Sequence, residues 1–118
     1  MTIAVDFDGV IHKYSKGWQD GSIYDEPVEG AIEALVKLIE AKHSVIIIST
    51  REVRQVFDWI QPKLYQFDIP TDMLNPDEKF WNQKGVLGIT NRKIPASIYI
   101  DDRGLRFTNW GDILKYFI

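Results

Sequence analysis

Two pairs of acidic residues stand directly after short apolar runs: Asp6 and Asp8 in "TIAVDFDGV", Asp101 and Asp102 in "ASIYIDDRG". A carboxylate at the mouth of a buried strand loses hydration, and like charges held close together repel. A cation between them relieves both penalties. The chain has no Cys and no His stands among the acids, so the donors are oxygens, which favour a hard ion such as Mg²⁺ over zinc. Such an ion bridges to a phosphate oxygen and offsets charge during phosphoryl transfer. One carboxylate of the first pair can then attack phosphorus to form an aspartyl-phosphate, and the other, two residues on, can move protons. A third polar group, Ser49-Thr50-Arg51, follows the apolar run "SVIII". One Asp after a strand is an ordinary turn former or N-cap. Turn formation does not explain acids at two strand ends, nor a bulky Phe7 inside the first pair.

The elements that must carry these residues alternate. "TIAV" and "SVIIIS" read as strands buried on both faces of a parallel sheet. Between them, "PVEGAIEALVKLIEAKH" places Val28, Ile32, Leu35 and Ile39 at helical spacing, with Glu33 and Lys37 paired on the opposite face. "EVRQVFDWIQPKL" is a second helix, and Pro62 is expected to kink or end it. "GVLGI" is a strand weakened by its glycines, "ASIYI" a stronger one, and "WGDILKYF" a short closing helix. "DMLNPDEKF" reads as a solvated connector. The order β-α-β-α-(β)-β-α implies an α/β Rossmann-like three-layer α/β/α sandwich with a mainly parallel sheet. Ligands in such folds collect outside the carboxyl ends of the strands, where all three polar groups stand.

At 118 residues the chain is expected to form one domain, 1–118, and its 45% apolar fraction supports a packed core. Without Cys, neither a disulfide framework nor a thiolate metal site is possible. The start carries no signal-peptide pattern, and no apolar run is long enough to span a membrane. A cytoplasmic protein without membrane association is therefore expected. A net charge of −3 argues against a general nucleic-acid coat but leaves a local basic patch open.

These residues resemble the haloacid dehalogenase-like (HAD) phosphohydrolase superfamily. "DFDGV" is similar to its first motif, DxDGxx; "VIIIST" to its second, an apolar strand ending in Ser or Thr; and "NRKIPASIYIDDR" to its third-motif lysine followed by its fourth-motif acidic pair. The resemblance spans essentially the whole chain, in order. It implies Asp6 as nucleophile, Asp8 as general acid/base, and Mg²⁺ held by Asp6, the Asp8 backbone carbonyl, Asp101 and Asp102. It implies Ser49, or Thr50 one residue on, as the hydroxyl that hydrogen-bonds the phosphoryl group. It implies Lys93, with Lys84 as the alternative, as the cation beside Asp6. "STR" is also similar to the second motif of polynucleotide 3′-phosphatase domains, which makes Arg51 a phosphate or substrate contact. Gly9 and His12, just after the first motif, join Thr50 and Arg51 as candidate substrate contacts. For His12, a hydrogen bond that orders the loop is an equal reading.

About forty residues separate Asp8 from Ser49, and about as many separate Arg51 from Lys93, each filled largely by a helix. That leaves no room for the cap domain common in this superfamily, so the chain resembles its small capless members from phage and bacterial genomes. An open site tends to accept large substrates such as nucleic-acid ends or phosphoproteins; the expected partner is a phosphorylated small molecule or a nucleic-acid end, with a nucleotide or polynucleotide end favoured. The segment 12–28 is the available lid: Trp18, Tyr14 and Tyr24 could stack a base beside Lys13 and Lys16, or Trp18 could simply pin the loop. Arg51, Arg54, Arg92, Arg103 and Arg106 are expected to form a basic rim that draws in an anion. Ordinary salt bridges are the alternative for each. Two other readings remain open, a receiver-like phosphoacceptor domain and a non-catalytic nucleic-acid-end binder. No oligomeric state is written in the sequence.

Overall fold

The computed structural model describes residues 1–118. Its strands are β1 (Thr2–Asp6), β2 (Ser44–Ile48), β3 (Thr71–Met73), β4 (Leu87–Thr90) and β5 (Ile98–Ile100). Its helices are α1 (Ala31–Glu40), α2 (Val53–Tyr65) and α3 (Trp110–Leu114). The strands form one sheet in the order β3-β4-β2-β1-β5, and every pairing is parallel. The chain is thus an α/β protein with a Rossmann-like sheet.

The direction of each crossover decides which face it covers. From β1 through α1 to β2, and from β2 through α2 to β3, the chain steps toward the same edge. Right-handed crossovers put both helices on one face. The steps β3 to β4 and β4 to β5 run the other way, so their connectors cover the second face. Burial follows this division. Ile3, Val5, Val45, Ile47, Leu87 and Ile89 pack against Ile32, Leu35 and Ile39 of α1 and Val56, Ile60 and Leu64 of α2. Alternate strand residues Ala4 and Ile46 pack against Leu74, Trp81 and Ile94. The layer on this second face is therefore irregular chain rather than helix. Each large side chain sealed in this way contributes about 1.5–3 kcal/mol. Trp81 lies so close to β4 that a Cβ on Gly88 would stand 2.6 Å from its ring.

Three local expectations need correction. "DMLNPDEKF" is not all connector, because Thr71–Met73 pairs with β4 as an edge strand. Pro62 does not end α2, which runs on to Tyr65. Its missing N–H lies on an exposed face, and Lys63 Nζ donates to the Trp59 carbonyl nearby at 2.9 Å. Strand β5 forms, but Ile98, Tyr99 and Ile100 stay exposed, because α3 is a single exposed turn that ends at Leu114 and does not cover them. No helix is long and apolar enough to cross a membrane.

Candidate functional site

Register brings the chemistry together. Asp6 pairs with Ile48, and Ile48 with Thr90, so Ser49 and Asn91 follow Asp6 at the carboxyl rim of the sheet. On the other side Val5 pairs with Ile100, which sets Asp6 beside Asp101. Carboxylate oxygens of Asp6, Asp101 and Asp102 lie within 4.8 Å of one another. Burial raises the Asp6 pKa most; the Phe7 N–H, donating to Asp6 Oδ1 at 2.9 Å, opposes it, and the charges of Asp101, Asp102 and Asp8 add to the rise. Asp101 is held below the usual carboxylate range by the N–H groups of Arg103 and Gly104. Oxygen donors alone, converging in this way, are a ligand set that could hold a hard cation such as Mg²⁺.

Phe7, the odd residue of the first pair, is fully buried. It stacks on His12 and meets Trp59 edge-on, with ring centroids 5.6 and 5.4 Å away. Its role is to anchor the turn that displays the acids. Gly9, expected as a substrate contact, has a backbone conformation that only glycine readily adopts. Its φ of 86° lies in the left-handed region, and a side chain there would collide with the Asp102 carboxylate.

Asp8 stands apart from the acidic cluster. Arg51 Nε donates to its Oδ2 at 2.9 Å and its Oδ1 at 3.2 Å, and His12 Nδ1 lies 2.8 Å from Oδ1. Both partners are buried. Arg51 Nη1 donates to the Gly21 carbonyl at 2.6 Å, and the Trp18 ring lies 4.7 Å from the guanidinium carbon. Arg51 is thus committed to Asp8 and to the 12–28 segment and does not line the cleft. Trp18 lies against the Arg51 guanidinium while staying about half exposed.

The cleft above the acids has a volume of about 430 Å³ and is lined by Asp6, Asp8, Ser49, Thr50, Lys93 and Asp102, together with Tyr14, Asn91 and Arg103. A second hollow, about 340 Å³, shares Asp6, Ile48 and Lys93 with it and adds Tyr99. Lys93 Nζ lies 4.9 Å from the Tyr99 ring centre, within cation–π range. Lys84, by contrast, reaches Ser44 at the amino end of β2, the opposite end of the sheet. Ser49 is buried, and its Oγ accepts the Arg51 N–H at 3.1 Å, which leaves its own O–H to donate; Thr50 is exposed.

Of the five arginines expected at the rim, Arg103 alone lines this cleft. Arg54 pairs with Asp58, and Arg92 donates to the carbonyls of Asn75 and Glu78. Sequence reasoning missed Asn91. Its signal was position alone, just past the glycine-weakened strand β4.

No family model matches the chain, and no curated protein matches it. A solved structure of a conserved protein from Bacteroides thetaiotaomicron is similar to it, with 26% sequence identity and a TM-score of 0.54. The likeness covers 98% of this chain and 87% of that one.

Proposed function

We propose that this protein is a Mg²⁺-dependent phosphomonoesterase, a single-domain capless member of the HAD superfamily working in the cytoplasm. The observation that carries the reading is the meeting of Asp6, Asp101 and Asp102 within 4.8 Å, beside a cleft that Asp6 and Asp102 line together with Ser49 and Lys93. Mg²⁺, when held by those carboxylates and the Asp8 carbonyl, supplies positive charge against the phosphoryl oxygens.

The residues divide the work. An Asp6 oxygen bonds to phosphorus as the bond to the leaving oxygen breaks, and Asp8 gives that oxygen its proton. Water then attacks phosphorus and passes a proton to Asp8, which frees inorganic phosphate and the Asp6 carboxylate. Ser49 O–H and Lys93 Nζ hold the phosphoryl oxygens where charge accumulates. Orientation of Asp8 falls to Arg51 and His12.

An open cleft edged by Tyr14, Lys93 and Arg103 suits a nucleotide or the phosphorylated end of a polynucleotide. Phosphate release with Mg²⁺ tests the reading, using nucleoside monophosphates, 3′- and 5′-phosphorylated oligonucleotides, sugar phosphates and a phosphopeptide. Release that disappears in Asp6→Asn is the expected result. No release from any of them overturns it.

A further inference from the structure

We infer that His12 is a positioning residue that fixes the side-chain orientation of Asp8 and couples it to the segment 13–25; this rests on the phosphomonoesterase reading for the role of Asp8. The imidazole is fully buried and does not line the cleft, so it does not touch substrate. Both ring nitrogens are engaged. The Asp25 N–H donates to Nε2 at 3.1 Å, which leaves the ring proton on Nδ1, and Nδ1–H donates to Asp8 Oδ1 at 2.8 Å. Phe7, Tyr14, Tyr24 and Trp59 surround the ring with centroids 5.3–5.8 Å away, so it has little freedom to turn.

A histidine that merely ordered a loop would need only the Asp25 bond. Here the opposite nitrogen is spent on the group that transfers the proton. Asp8 reaches the same segment by a second route, since Arg51, on its other oxygen, also holds the Gly21 carbonyl and lies against Trp18. His12 grips the segment at its root and Arg51 near its tip. Tyr14, within the segment, lines the cleft. Displacement of the segment therefore disturbs the orientation of Asp8, and a substrate that meets Tyr14 meets the same mechanical unit.

Three substitutions separate the two halves of the ring. In His12→Asn the amide nitrogen stands near Nδ1 and keeps a donor for Asp8, with nothing at Nε2. In His12→Gln the amide oxygen stands near Nε2 and keeps the Asp25 bond, with no donor to Asp8. His12→Ala keeps neither. With Mg²⁺ and para-nitrophenyl phosphate, His12→Ala and His12→Gln should each lose on the order of 10–100-fold in kcat with little change in KM, a loss typical of displaced supporting groups. His12→Asn should recover most of the kcat lost in His12→Ala, while its 13–25 amides exchange hydrogen at least about tenfold faster than in the wild type. Equal kcat in the Asn and Gln variants overturns the inference. A second measurement needs no activity: Asp8→Ala should speed exchange of the 13–25 amides about tenfold while the β2 and β4 amides stay protected. Unchanged exchange there overturns the coupling. A wild-type chain that releases no phosphate yet shows this exchange change refutes the phosphatase reading and leaves the coupling standing.

Discussion

The carboxylate of Asp102 occupies the space that a side chain on Gly9 would fill, so the turn after β1 and the acidic pair after β5 fit together only because Gly9 has none. Gly9→Ala forces a left-handed alanine, costing about 1–2 kcal/mol, and pushes Asp102 away. Unfolding in urea should report that loss. Calorimetric titration should show Mg²⁺ affinity reduced on the order of tenfold or more.

Lys93 and Lys84 stand at opposite ends of the sheet. Lys93→Met should lower phosphate release by about 100-fold or more, in keeping with the loss of a charge that stabilises a developing oxyanion. Lys84→Met should retain wild-type turnover in the same assay. Equal losses would mean that the cleft has been misassigned.

The Asp25 carboxylate accepts from both the hydroxyl and the N–H of Ser15, which lower its pKa to about 2. Its folded-state pKa lies below its unfolded value, so the associated stabilisation is present above about pH 4 and is lost as pH falls through about 2. Hydrogen exchange of the 13–25 amides, corrected for the intrinsic pH dependence, should show the segment loosening across that window. Asp25→Asn should weaken the dependence and leave the part due to Asp20, whose carboxylate accepts from the Ser22 hydroxyl and N–H and is likewise lowered.

Gly88 is covered by the Trp81 indole. Gly88→Ala overpacks this contact and should cost about 1–3 kcal/mol in denaturant unfolding. The contact lies on the second face of the sheet, so phosphate release below the unfolding transition should be spared.

Strands β1 and β2 and helices α1 and α2 were legible because their apolar residues recur at the spacing their environments demand. Val45, Ile46 and Ile47 form a continuous run because β2 is buried on both faces. Thr71–Met73 was not legible, since an edge strand of three residues with Asp72 exposed carries no period to read. The acidic cluster was foreseeable from strand ends, because register delivers Asp6 and Asp101 side by side. The fate of Arg51 was not. Sequence gives a guanidinium beside a strand end, but only the fold brings Asp8 and Gly21 within its reach. The same holds for His12, whose two partners lie four residues and thirteen residues away.

The pairing of Ile3 with Ile98 has a consequence for folding. Asp6 comes with β1, whereas Asp101 and Asp102 must await the docking of β5. Loop closure across nearly the whole chain precedes any convergence of Asp6 with Asp101 and Asp102. Until β5 docks the acidic cluster is incomplete, and Asp6 stays apart from Asp101 and Asp102.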